Sequence, residues 1–292
     1  MSVVTRFAPA PTGYLHLGHV VNAIYVWGVT RALGGRILVR IEDHDRGRSR
    51  VEYETAILED LAWLGFVADA PVVRQRERDA IYEDALAGLR AGGLVYACEC
   101  SRAEIAAQAG AATGGELRYP GTCAAKHLHE APGLGLRVRL APSLERFDDW
   151  QHGPSEQRPF EQCGDLLVRD RDGYWTYQFA ATVDDLRQNV TLVIRGDDLL
   201  ASTGRQMQLA RLLGRETPPA FLHHALVMKS DTQKLSKSDR DTGVRDLRAR
   251  GWSPERVIGL AAARAGLIDV PRDIVADNVS SLVKDSLPPV PS

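Results

Sequence analysis

The chain has 292 residues, a formal net charge of −2, and 44% hydrophobic and 25% charged side chains. That length supports one large domain with an insertion or two ordinary ones, and the charge balance excludes a uniformly basic nucleic-acid-binding surface. No apolar run approaches the ~18–20 residues of a membrane span, and no basic-then-apolar leader opens the chain, so a cytoplasmic protein is expected.

In chain order, Val3 to Phe7 reads as a buried strand, broken by Pro9, Pro11 and Gly13. Apolar periodicity predicts a helix from Val20 to Leu33, and Arg36 to Ile41 a strand. Ser49-x-x-Glu52 reads as a capping box opening a helix to about Leu64. This alternation implies a parallel sheet with crossover helices. From Leu94 the pattern changes to clustered cysteines, a Gly/Ala-rich stretch and short strands at Leu136–Leu140 and Leu166–Val168, read as an inserted module. The α/β rhythm resumes near Tyr174, with strands at Leu192–Arg195 and Leu222–Met228 around a helix at Thr203–Leu213. The expected division is 1–93 and 174–243 as two halves of one catalytic domain, 94–173 as the insertion, and 244–292 as a helical C-terminal region. Ser253 with Pro254 predicts a helix start there, and Leu287 to Ser292 a frayed tail.

Two short motifs suit a nucleotide. His16-Leu17-Gly18-His19 lies at the mouth of the first helix, where unpaired N–H groups favour phosphate and Gly18 permits close approach. Lys234-Leu235-Ser236-Lys237-Ser238 follows a predicted strand and could neutralise a polyphosphate during transfer. Alone, the histidine motif reads equally well as a surface turn and the lysine motif better as a solvated basic turn; together, on an α/β background, they point to ATP. Cys98-x-Cys100 and Tyr119-x-x-x-Cys123 bracket a low-complexity stretch. Three thiolates at that spacing suit structural Zn²⁺, with His127, His129 or Cys163 as the usual candidates for a fourth ligand. Three ordinary reduced thiols fit the spacing as well. Ser101-x-x-Glu104 reads as a capping box after the first pair.

In order and type, these motifs resemble the HIGH and KMSKS signatures of the class I aminoacyl-tRNA synthetases. Arg40-Ile41-Glu42-Asp43-His44-Asp45, Val183-Asp184-Asp185 and Val193-Ile194-Arg195-Gly196-Asp197-Asp198-Leu199 are similar to elements of the glutamyl branch, so the resemblance runs from about Val3 to Arg245. It implies a Rossmann-like α/β catalytic domain with an inserted zinc module. It also implies that His16, His19 and Lys237 act catalytically, and that Gly18, Lys234 and Ser236 help bind ATP with Mg²⁺. A glutamate pocket would be lined by Arg6, Ala8, Ala10, Glu42, Tyr177 and Arg195. There, Arg6 and Arg195 would meet carboxylates, Glu42 the ammonium, and Tyr177 would donate a hydroxyl; Ala10 stands where the family usually has Ser.

Only 54 residues follow Ser238, and an anticodon-binding domain is not expected. With the Tyr-containing cysteine cluster, this resembles the short glutamyl-queuosine tRNA(Asp) synthetase group, which implies Tyr119 as fourth zinc ligand beside Cys98, Cys100 and Cys123. The implied activity is tRNA-independent activation of L-glutamate and its transfer to queuosine-containing tRNA(Asp), by a monomer. The other readings are a related enzyme charging a tRNA 3′ end, a nucleotidyltransferase of the same superfold, and a non-catalytic tRNA-binding paralogue.

Overall fold

The computed structural model describes residues 2–108, 117–230, 233–234 and 243–287. The first half runs β1 (Val4–Phe7), α1 (Leu17–Ala32), β2 (Arg36–Ile41), α2 (Val51–Leu64), β3 (Val73–Arg74) and α3 (Asp79–Ala91). All three strands pair in parallel, in the order β1-β2-β3. A parallel pair needs a crossover, and α1 and α2 supply it, burying Val20, Ile24 and Ile57 against the sheet. α2 stops at Gly65, whose φ of 85° is open to residues without a side chain.

The expected Ser49–Glu52 box does not form. Arg50 is the N-cap of α2 and contributes no side-chain cap, because the helix begins one residue later than the pattern implied. Ser49 instead donates its backbone N–H to Asp45 (3.0 Å), which closes the preceding turn.

The insertion begins with β4 (Val95–Cys98), α4 (Arg102–Gln108) and β5 (Gly135–Val138). Next come β6 (Glu145–Asp149), β7 (Gly153–Gln157), α5 (Pro159–Cys163) and β8 (Leu166–Arg169). β4, β5 and β8 form a separate antiparallel sheet. The β6–β7 hairpin, which the sequence reading placed in the insertion without naming its strands, goes elsewhere. It joins the catalytic sheet that continues with α6 (Tyr177–Arg187), β9 (Leu192–Gly196), α7 (Thr203–Leu212) and β10 (Ala220–His224), in the strand order β7-β6-β10-β9. Alternation explains the placement: Glu145, Phe147 and Asp149 are buried on one face of β6, and Arg146 and Asp148 are exposed on the other. The two catalytic sheets meet where β1 lies against β9, with Val4 donating to Thr191 Oγ1 and Arg6 to the Ile194 carbonyl.

The predicted strand at Leu222–Met228 divides into β10 and the hairpin of β11 (Met228–Ser230) and β12 (Gln233–Lys234). α8 (Val244–Ala249) and α9 (Pro254–Arg264) follow, with Ser253 capping α9 as expected. Beyond them the chain forms 3-10 turns at Ala276–Leu282 and Lys284–Ser286. Val279 and Val283 pack on α1, where a side chain at Gly28 would meet them at 2.8–3.2 Å. Leu287 also rests on this core and is not frayed; the rest of that tail lies outside the described residues.

Candidate active site and metal centre

The His-x-Gly-His segment is a helix cap built from imidazoles. His16 is the N-cap of α1: its Nδ1 accepts the Gly18 N–H at 3.1 Å, and His19 Nδ1 accepts the His16 N–H at 3.1 Å. This is the reciprocal geometry usually made by Ser and Glu. It brings the rings together, tilted by 43° at a centroid distance of 3.9 Å, and commits both Nδ1 atoms to the backbone, which leaves the Nε2 atoms to carry any proton offered to a ligand. Gly18 has a local reason beyond ligand approach, since a Cβ there would lie 2.9 Å from the His16 ring.

The second motif lies largely outside the described residues. Ser236 and Lys237 are among those not described, and Lys234 ends β12. Its flanks are placed. Gly243 forms an antiparallel bridge with His16, and Val244 donates to the Leu15 carbonyl at 2.9 Å. The chain is therefore fastened beside the histidine pair at Gly243 and Val244.

Beneath these lies a buried ionic network. Arg6 on β1 donates through Nε to Asp185 at 3.0 Å. Arg40, fully buried on β2, donates to Asp185 (2.8 Å), Gln188 (2.9 Å) and Glu42 (3.2 Å), and its Nε lies 3.7 Å from Asp184. Burial opposes the charge on Arg40, but Asp185, Asp184 and Glu42 outweigh it and raise its pKa. Burial likewise disfavours the Asp185 carboxylate, yet Arg6 and Arg40 hold its pKa below the ordinary carboxylate value. Asp184 accepts from Gln75, Arg78 and Tyr82 as well.

The residues named for glutamate gather around this network. Ala8 and Ala10 are half-buried in the loop after β1, whose carbonyl at Pro9 accepts from Glu42. Tyr177 opens α6 and is hydrogen-bonded to Arg195; burial raises its phenol pKa. Arg195 on β9 is held on three sides: Nε donates to His223 Nε2 (2.9 Å), Nη1 to Gln206 (2.6 Å) and Nη2 to Thr203 (2.9 Å). Arg40, Asp184 and Asp185 stood in recognisable motifs without assigned roles. Asp149, Thr203, Gln206 and His223 had no local signal, since they converge only when β6, α7 and β10 pack beside β9.

In the insertion, the sulfurs of Cys98, Cys100 and Cys123 lie within 4.8 Å of one another, a cluster able to hold a metal ion. Cys100 and Cys123 are 3.5 Å apart, and the Tyr119 hydroxyl is 3.5 Å from Cys98 Sγ. A zinc tetrahedron with ordinary Zn–S and Zn–O bonds has edges of ~3.5–3.8 Å, and both of these separations lie in that range. The Tyr119 oxygen also accepts the Cys123 N–H at 2.8 Å, which fixes it in the cluster. Burial and neighbouring thiols push Cys100 up to about 11, whereas hydrogen bonds hold Cys123 below its ordinary value despite burial. Cys163 is directed instead to the Pro159 and Gly164 carbonyls, and His127 and His129 are not in the cluster. Ser101 and Glu104 form the expected capping box, with bonds of 2.7 and 3.2 Å. No described helix is long and apolar enough to cross a membrane.

Residues 2–270 match the family model for the catalytic domain of class I tRNA synthetases of the E and Q type. A Glutamyl-Q tRNA(Asp) synthetase of Rhodobacter capsulatus is 40% identical over 280 residues, 88% of this chain and 100% of its own. One of Burkholderia mallei is 46% identical over 238 residues, 80% of this chain and 79% of its own. The glutamate-tRNA synthetase of Elizabethkingia anophelis superimposes with a TM-score of 0.79 at 26% identity, covering 98% of this chain and 66% of that one. Matches of that extent to both sequence and fold settle the affiliation: the chain belongs to the glutamyl and glutaminyl class I aminoacyl-tRNA synthetases, a family of ligases.

Proposed function

We propose that the chain activates L-glutamate with ATP, without tRNA, and transfers the glutamyl group to the cyclopentenediol of queuosine at the first anticodon position of tRNA(Asp). The observation that carries this reading is identity of 40–46% to proteins named Glutamyl-Q tRNA(Asp) synthetase, over 80% or more of the chain. The pocket chemistry agrees with it. Arg195 meets the side-chain carboxylate, Arg6 the other carboxylate side, Glu42 the ammonium, and Tyr177 supplies a hydroxyl, while Ala8 and Ala10 offer backbone.

A glutamate carboxylate oxygen attacks the α-phosphorus, and the bond to the β-phosphate oxygen breaks to release pyrophosphate. Holding the two reactants in line is worth roughly 7–11 kcal/mol of barrier. His16, Gly18 and His19 receive the phosphates at the α1 N-terminus, and Lys234, Ser236 and Lys237 offset the developing charge, with Mg²⁺ carried by the nucleotide. A queuosine hydroxyl then attacks the activated carbonyl, and AMP departs with the electron pair. Cys98, Cys100, Tyr119 and Cys123 would hold one zinc ion, whose role is to fix the fold of the module. The protein acts as a cytoplasmic monomer.

Likeness to solved glutamate-tRNA synthetases favours a second reading, in which the acceptor is a tRNA 3′ end. Radiolabelled glutamate transfer separates the two. The proposal expects labelling of tRNA(Asp) only when it contains queuosine; labelling of tRNA(Glu) at its 3′ end, with none on queuosine, overturns it.

A further inference from the structure

The grip on Arg195 reaches one layer deeper than the substrate pocket. His223 is completely buried at the end of β10, and its two ring nitrogens have different partners. Nδ1 lies 2.6 Å from Asp149 Oδ2, and Nε2 lies 2.9 Å from Arg195 Nε and 3.2 Å from Thr203 Oγ1. Asp149 also accepts backbone N–H groups from Gln151 (3.0 Å), His152 (3.2 Å) and His223 (3.2 Å), so it is an acceptor throughout. The proton therefore sits on Nδ1, and Nε2 presents a lone pair to the arginine. A guanidinium cannot accept, so the opposite tautomer would set two N–H groups against each other.

We propose that Asp149 and His223 form a positioning pair that fixes the orientation of Arg195 and thereby the selection of a side-chain carboxylate over a carboxamide. A guanidinium has five N–H bonds, and His223, Gln206 and Thr203 engage three of them. Tyr177 is hydrogen-bonded to the same guanidinium, so these four partners together set how its remaining N–H capacity is aimed at a carboxylate. Released from His223, Arg195 could rotate about its side chain and lose that aim. Asp149 lies on the β6–β7 hairpin, so this reading gives the hairpin a part in substrate choice. The inference rests on Arg195 being the reader of the side-chain carboxylate.

Asp149→Asn is the discriminating variant. It keeps size and the turn-closing oxygen, but places an amide N–H against Nδ1 and drives the imidazole proton to Nε2, as in a catalytic triad whose Asp becomes Asn. ATP–pyrophosphate exchange on the full chain, with glutamate and glutamine varied separately, is expected to show glutamate KM raised roughly 10- to 100-fold. KM for ATP should stay within about twofold, and the preference for glutamate over glutamine should fall in step with the glutamate KM. A second pair guards against misfolding: His223→Gln supplies an acceptor near Nε2 and His223→Leu does not, so Gln should recover most of the glutamate affinity lost with Leu.

Arg195→Ala separates the two layers. If it raises glutamate KM at least about tenfold while folded Asp149→Asn stays within about twofold of the parent, the positioning pair is wrong. Equal KM for His223→Gln and His223→Leu overturns it as well. If Arg195→Ala leaves glutamate KM unchanged, the assignment of Arg195 itself fails, and the pair goes with it.

Discussion

Replacing Arg40 by Met tests whether the buried network organises the site. Arg40 is 0% exposed and contacts Glu42, Asp184 and Asp185, so its loss leaves three carboxylates facing one another in a low-dielectric interior. Breaking a buried ionic arrangement from one side typically costs about 3–5 kcal/mol. With an unfolding entropy of ~0.6 kcal/mol/K for a chain of this length, that lowers Tm by roughly 5–8 °C. A second signature comes from linkage. Asp185 has a depressed folded-state pKa, so it contributes stability that is present above about pH 4 and lost as pH falls through the folded value. With one of its two cations gone, its folded-state pKa rises, and the variant has less of this stability to lose as pH falls. Calorimetry from pH 8 to pH 4 should therefore show the gap between variant and parent narrowing on the way down, as protonation relieves the carboxylates. Arg40→Lys, which keeps the charge without the planar fork, should lie between. A Tm for Arg40→Met within about 1 °C of the parent at pH 7, with an unchanged acid limb, refutes the reasoning.

Three further outcomes are expected. His16→Asn should keep the α1 cap and the parent Tm while lowering kcat for exchange, whereas His16→Ala should also cost about 1 kcal/mol of stability; equal kcat for Asn and parent removes the phosphate role. Tyr119→Phe should weaken zinc about tenfold or more in competition with a chelating indicator, and unchanged affinity would exclude the phenol as a ligand. Asp60 is fully buried, and burial pushes its carboxyl up to about 6, above its unfolded value. Its charge therefore destabilises the fold at neutral pH, and the penalty fades as pH falls through 6 toward the ordinary carboxylate value. Asp60→Asn should accordingly raise Tm at pH 8 and lose that advantage by about pH 4; a constant difference across that range contradicts the burial argument.

Much of this molecule was readable along the chain because the chemistry is local there. A helix mouth needs a cap, so His16 and His19 stand three residues apart, and a metal clip needs thiols, so Cys98 and Cys100 stand two apart. The strands β1, β2 and β9 were visible as short apolar runs. The Ser49–Glu52 pattern shows the limit of this reading: the spacing suited a cap, but the preceding turn claimed the backbone and the helix began one residue on.

What the linear order could not carry was anything built from elements distant in sequence. The β6–β7 hairpin lies within the apparent insertion, yet it pairs with β10 because its buried face completes the catalytic sheet. That pairing brings Asp149 to His223, 74 residues away, and His223 to Arg195, another 28. Arg40 and Asp185 meet across 145 residues for the same reason: a charge taken from water must find its counterion wherever the fold puts one. The sequence by itself marked the residues proposed to meet ATP, zinc and an acidic amino acid. Tertiary structure decided which of them are held still, because orientation is conferred by neighbours that only packing makes adjacent.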